Sequence, residues 1–147
     1  MSQLTVHYSS KTPEWATPPD LFARLDKQYG PFTLDPCATP DNAKCPMFYT
    51  PADDGLSRPW APHRVFMNPP YGRVVGGWVR KAHEESRRGA FVVCLLPART
   101  DTAWWHDHVS QAASVEFLRG RVRFGGAKQG APFPSAVVVF AGAGEAA

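Results

Sequence analysis

A chain of 147 residues, 44% apolar and 20% charged, can bury one core without a disulfide staple and is too apolar for a disordered tail. Its net charge of +3 is uneven: residues 1–72 carry 6 basic and 7 acidic side chains, residues 73–147 carry 10 and 6, so the second half suits a polyanion partner. Proline, at 15 residues, is about twice its usual ~5% but recurs at no period, and no apolar stretch reaches the ~18 residues of a membrane helix, which sets aside collagen-like and membrane-spanning readings.

The first predicted element is a helix over 18–29. Thr17 reads as its N-cap, Pro18 suits the first helical position, and Asp20 completes a T-x-x-D capping pattern. Leu21, Leu25 and Tyr29 share one face with Phe22 beside them, and Gly30-Pro31 ends the helix. A short strand ending at Asp35 follows. The proline-rich stretch from Cys37 to His63 reads as loops with one short strand or helix, and a connection of that length inside a domain usually serves function. Arg64–Met67 is a second strand that runs into Asn68-Pro-Pro-Tyr71. Gly76 and Gly77 precede a helix over 78–88, and the unbroken apolar run over 90–96 marks a strand buried on both faces of a parallel sheet, which completes a βαβ unit. A further helix is predicted over 102–112, capped by Asp101 or Thr100, with Trp105, Val109 and Ala112 inward. Two last strands, 115–124 and 136–141, are joined by a Gly-rich loop; residues 1–11 and 142–147 are expected to be flexible. The alternation predicts a single α/β domain of three layers, with ligands at the carboxyl ends of its strands.

Two segments fall at such ends: Asp35-Pro36-Cys37 and Asn68-Pro69-Pro70-Tyr71. The paired prolines stiffen the backbone and remove two N–H donors, so the Asn68 side-chain oxygen and the Pro69 carbonyl remain as fixed acceptors beside a flat Tyr71 ring. That combination suits a planar group bearing an NH₂. The amine of adenine or cytosine is a weak nucleophile because its lone pair is spread into the ring. Two acceptors on its hydrogens favour the pyramidal nitrogen that can attack, which is preorganised electrostatic stabilisation of a transition state. The plainer alternative is a Pro-Pro turn with a surface tyrosine.

The segments Glu14-Trp-Ala-Thr-Pro18, Leu34-Asp-Pro-Cys-Ala38, Asp54-Gly-Leu56, Phe66-Met-Asn-Pro-Pro-Tyr-Gly72, Leu96-Pro-Ala-Arg-Thr-Asp-Thr-Ala-Trp-Trp-His106, Arg119-Gly-Arg121 and Pro132-Phe-Pro-Ser135 resemble the phage DNA N-6-adenine methyltransferases (Dam-like), in order and over nearly the whole chain. The resemblance implies a Rossmann-like methyltransferase fold, S-adenosyl-L-methionine as methyl donor, and adenine in DNA as acceptor. Carried onto this sequence, Asn68, Pro69, Pro70 and Tyr71 would form the amino-group pocket, and Asp35, Pro36, Cys37 and Ala38 the first cofactor loop. Thr17 and Pro18, with Trp15, would reach the methionine end of the cofactor, and Asp54 and Leu56 its adenosine. The chain departs from broader methyltransferases in lacking a glycine-rich F-x-G-x-G loop after the first strand. Only residues 36–67, 32 in all, separate Asp35 from Asn68. The cofactor side is therefore expected to be abbreviated: a mostly parallel sheet closed by an antiparallel C-terminal hairpin, with no separate target-recognition domain.

Arg119, Arg121 and Arg123 alternate, which in a strand puts three guanidiniums on one face; with Lys128, Arg99 and an exposed Trp104 they are candidate DNA contacts, the plainer alternative being a solvated face and a salt bridge from Arg99. Cys37, Cys45 and Cys94 include no C-x-x-C, and His106 and His108 on a helix point about 200° apart, so neither disulfides nor a metal are expected. The polar Met1–Lys11 lacks a signal-peptide core, and a cytoplasmic monomer is the expectation. Methylation of cytosine N4 or of protein glutamine, and a non-catalytic DNA-binding module, are the alternatives that the residues leave open.

Overall fold

The computed structural model describes residues 16–39 and 41–142; Trp15 and, of the segments expected to be flexible, residues 1–11 and 143–147 lie outside the described residues. Helix α1 (Pro19–Tyr29) is followed by strands β1 (Leu34–Asp35), β2 (Met47–Phe48) and β3 (Arg64–Met67), helix α2 (Val75–Arg87), strand β4 (Phe91–Pro97), helix α3 (Ala103–Asp107), and strands β5 (Ser114–Phe117) and β6 (Ser135–Phe140). One six-stranded sheet has the order β2-β1-β3-β4-β6-β5. The first four strands pair in parallel, with Leu34 opposite Met47 and Val65 opposite Val92. β6 runs antiparallel to both β4 and β5, so β5 points the same way as the parallel four. This is an abbreviated Rossmann-like fold, mostly parallel with an antiparallel C-terminal pair.

Apolar side chains fill both faces of the sheet, as the β4 run FVVCLLP requires: all seven of its residues are buried. On one face, Val65, Met67, Val92, Cys94, Leu96, Val138 and Phe140 meet Val75, Trp78, Val79 and Ala82 of α2, with Trp104 and Trp105 of α3 alongside. On the other, Phe66, Val93, Leu95, Val137 and Val139 meet Leu25 of α1 together with Phe32, Val122 and Phe124. These are the three expected layers.

Four local expectations are corrected. Pro18, not Thr17, occupies the N-cap of α1, and among the described residues no side chain caps it. α2 starts at Val75 and runs through both glycines. A β-carbon at Gly76 would stand 3.2 Å from Cδ1 of Trp104, so this glycine lets the two helices meet closely. The third helix leaves α geometry at His108 (φ −121°, ψ −51°) and continues as a 3-10 turn over Val109–Gln111. Its cap is Thr102, whose hydroxyl accepts from Trp105 N at 3.3 Å. Ser110 and Gln111 turn their side chains onto the carbonyls of His106 and Asp107, in competition with the helix ladder. Finally, β5 ends at Phe117, not 124. The chain facing its continuation is Pro132-Phe-Pro134, with few N–H groups to pair, and Gly120 turns the backbone at φ +76°.

Candidate active site

Because β1 to β5 point one way, Asp35, Phe48, Met67, Pro97 and Phe117 all end at the same edge of the sheet. The candidate residues gather there. A pocket of about 700 Å³ is lined by Pro36, Cys37, Ala38, Thr50, Pro51, Asp54, Gly55, Leu56, Pro70, Tyr71, Gly72, Arg73, Val74 and Trp78. That volume lies within the ~300–1,000 Å³ of small-molecule sites. The loop after β1 and the Asp54–Leu56 element, separate in sequence, thus share one cavity with the Pro-Pro-Tyr corner.

The Asp54–Leu56 wall is tightly built. Asp54 adopts left-handed backbone (φ 57°) and leads into the 3-10 turn Gly55–Ser57. A β-carbon on Gly55 would stand 2.3 Å from the Pro36 carbonyl and 3.1 Å from the Trp78 ring, so only glycine fits. The Trp60 indole donates to the Gly55 carbonyl at 2.9 Å and stacks on Trp78. Trp60 in turn is fixed by Glu85 of α2. One Glu85 oxygen accepts from Trp60 N at 2.7 Å and Ala61 N at 3.2 Å, and the other meets Lys81 at 3.1 Å and Arg88 at 2.9 Å. Burial alone would raise the Glu85 carboxyl; these donors outweigh it and hold it down at about 2.

Asp35 is 5% exposed and does not line the large pocket. Its two oxygens accept from Cys37 N and Lys44 N, each at 3.2 Å, and so fold the loop that follows β1. Burial pushes its carboxyl up to about 6, against the opposing pull of these N–H groups and of Lys44. A small hollow of about 20 Å³ lies between Asp35 and Asn68, lined also by Ala16, Thr17, Cys37, Asn42, Lys44 and Phe66. Cys37 belongs to both cavities, which places the hollow beside the pocket.

The Asn-Pro-Pro-Tyr corner is a hydrogen-bonded unit. Asn68 Nδ2 donates to Thr17 Oγ1 at 3.0 Å. The Tyr71 hydroxyl lies 2.9 Å from Asn68 Oδ1 and 3.1 Å from the Leu95 carbonyl, with its single proton to donate. The half-buried Tyr71 ring meets Phe124 and Phe133 edge-on, at centroid distances of 5.8 and 5.4 Å. Burial raises its phenol well above the ordinary value, so Tyr71 is a neutral donor at physiological pH. The fixed acceptor inferred from sequence is therefore engaged with the tyrosine of its own motif. Pro69 and Pro70 are buried behind it.

Thr17 and Pro18 do not line the large pocket: Thr17 lines the hollow, and Pro18 lines a third depression. That groove, of about 620 Å³, also holds Leu21, Arg24, Phe117, Arg119, Arg121 and Arg123. The three arginines lie in a loop rather than on a strand face, yet they still converge. Arg121 donates to the Ala131 carbonyl at 3.3 Å. Lys128 is exposed in the same loop, and Arg99 is exposed with its guanidinium 5.8 Å from the Phe133 ring centre. Trp104 is half-buried against Gly76, not the exposed ring expected. Sequence reasoning missed Phe117, a 63% exposed ring stacked on Trp105, and it missed Trp78, Thr50 and Pro51 in the pocket wall. His106 bonds the Thr100 carbonyl and His108 meets His83, so the H-x-H pair diverges. Among the described residues, no group of three or more His, Cys, Asp or Glu side chains is placed to hold a metal ion, and no helix is long and apolar enough to cross a membrane.

A Rossmann-like sheet with an Asn-Pro-Pro-Tyr corner and an apolar pocket at its carboxyl edge places the chain among the α/β proteins whose ligand pockets open at the strand ends. Comparison with known proteins narrows it. The profile of the family described as DNA N-6-adenine-methyltransferase (Dam) matches residues 5–140, and the chain belongs to that family. It is 35% identical over 105 residues to the DNA N-6-adenine-methyltransferase of Escherichia phage T1, an alignment covering 71% of this chain and 44% of that protein. It is 30% identical over 105 residues to the enzyme of the same name from Haemophilus phage HP1, covering 71% of this chain and 61% of that one. The chain thus spans about half the length of these two relatives.

Proposed function

We propose that this chain transfers a methyl group from S-adenosyl-L-methionine to the N6 amine of adenine in DNA. The observation that carries the reading is the Asn68–Tyr71 corner set beside a 700 Å³ pocket whose walls include Pro36, Cys37, Ala38, Asp54 and Leu56. The pocket fits the donor: the apolar surfaces of Pro36, Ala38, Leu56 and Trp78 suit a flat ring, and the Asp54 carboxylate suits ribose hydroxyls. Asp35 acts from behind, through the loop it folds. When bound, S-adenosyl-L-methionine supplies a methyl group on a sulfonium.

The chain's own residues handle the amine. An amide oxygen has two acceptor positions, so Asn68 Oδ1 takes an N–H of the base beside the Tyr71 hydroxyl or in its place. Drawing on that N–H, together with the Pro69 carbonyl, favours the pyramidal nitrogen. Tyr71, steadied by Phe124 and Phe133, offers its ring to the extruded base; such stacking is worth roughly 1–3 kcal/mol. The methylated amine is cationic and loses its proton readily, so no residue is needed as a base. Arg119, Arg121, Arg123, Lys128 and Arg99 serve as phosphate contacts along the same edge, with Phe117 as an added stacking surface. A reaction on DNA inside a host cell makes the cytoplasm the site of action.

The test is incubation of the chain with tritiated S-adenosyl-L-methionine and double-stranded DNA. Label is expected in the DNA. No binding of the donor by calorimetry would favour a non-catalytic DNA-binding module, and label in added protein instead of DNA would favour glutamine methylation.

A further inference from the structure

Thr17 stands just before α1 but does not cap it, lines no part of the large pocket, and is 2% exposed. A hydroxyl that deep needs a partner. Its Oγ1 accepts from Asn68 Nδ2 at 3.0 Å, across 51 residues of sequence. In this arrangement the nitrogen end of the amide lies toward α1, and the contact anchors the side chain there. The oxygen end faces the opposite way, where the Tyr71 hydroxyl meets it at 2.9 Å. An amide turned over by half a rotation would present an NH₂ where the target amine also presents hydrogens, donor against donor.

We infer that Thr17 is a positioning residue: it anchors the Asn68 amide where the target amine is met. The inference rests on the reading of Asn68 as acceptor for that amine. It assigns Thr17 to the acceptor corner and not to the methionine end of the cofactor. The task needs only the hydroxyl, so serine should serve and valine, of equal shape, should not.

Single-turnover methyl transfer to DNA separates these cases. Thr17→Val is expected to slow transfer about tenfold, the size of one neutral hydrogen bond. Thr17→Ser is expected to stay within about twofold of the parent chain. In both variants the KM for DNA and the affinity for S-adenosyl-L-methionine by calorimetry are expected to hold within about twofold. A valine variant as fast as the parent, a serine variant as slow as valine, or a loss confined to donor affinity would each overturn the inference. If the valine variant melts below the assay temperature, Thr17→Ser against Thr17→Ala isolates the hydroxyl under the same criteria. A readout independent of turnover is the ¹⁵N side-chain amide of Asn68. It is expected to exchange its hydrogens slowly in the parent and fast in Thr17→Val, and equal exchange would contradict the contact. Failure of the parent chain to methylate DNA, with the amide signals as expected, would count against the methyltransferase reading alone.

Discussion

Strand β3 carries a polar knot at each end, and the two are built on opposite terms. Before its start, Glu85 gathers the backbone N–H groups of Trp60 and Ala61, the Lys81 ammonium and the Arg88 guanidinium around one buried charge. Beyond its finish, Thr17, Asn68 and Tyr71 join through hydroxyl and amide groups, and the Tyr71 hydroxyl also reaches the Leu95 carbonyl. The first knot matches charge with charge and braces Trp60 and hence the pocket wall. The second holds an amide and a phenol in place, the groups that the proposed function turns to the amine. The amino end of the sheet is therefore read as scaffold and the carboxyl end as chemistry, and substitutions should separate them.

The largest contrast is expected from the two centres themselves. Asn68→Ala should lower methyl transfer at least 10²–10³-fold, the usual loss for one preorganised polar group, while costing about 1 kcal/mol of stability for the stranded Thr17 hydroxyl. Glu85→Ala should do the reverse. It strands two buried N–H groups and Lys81, and should cost about 3 kcal/mol in denaturant unfolding while folded protein retains its turnover. Equal effects of both substitutions on stability would erase the contrast.

Titration sharpens it further. Glu85 is held down at about 2, so its stabilisation is complete above its ordinary value of 4.5 and is lost as pH falls through 2. Asp35 is pushed up from 3.8 to about 6, so the fold favours its protonated form: that stability is present below 3.8 and is lost as pH rises through 6. Each swing is on the order of 3 kcal/mol. Urea unfolding across pH should lose its low-pH decline in Glu85→Gln and its decline between pH 4 and 6 in Asp35→Asn. Unchanged slopes would break the assignment.

The same two ends differ in how far they were legible. The β3–α2–β4 unit could be read because buried parallel strands announce themselves as apolar runs such as FVVCLLP. The corner could be read because two prolines after a strand permit few structures. What the sequence concealed depended on residues far apart meeting. Thr17 has the local features of a helix cap, and only the fold turns it to Asn68. Arg119, Arg121 and Arg123 alternate as a strand would, but the segment facing them is the proline-rich Pro132-Phe-Pro134, and they converge from a loop instead. Gly76 looks like a helix breaker until Trp104 is seen lying against it.

The smallest effect per residue is expected in the groove. Removing Arg119, Arg121 and Arg123 together should weaken DNA binding at all sequences alike and lower the salt dependence of log K by about 1 for each phosphate no longer neutralised. An unchanged salt slope would return these arginines to an ordinary solvated loop.

Nucleoside analysis of the methylated DNA bears most directly on the central claim. After reaction with labelled S-adenosyl-L-methionine, the DNA is digested to nucleosides and separated, for the parent chain and for Asn68→Ala. The label is expected as N6-methyldeoxyadenosine with the parent and as none with the variant. Label in N4-methyldeoxycytidine, or equal label from both proteins, would contradict the account.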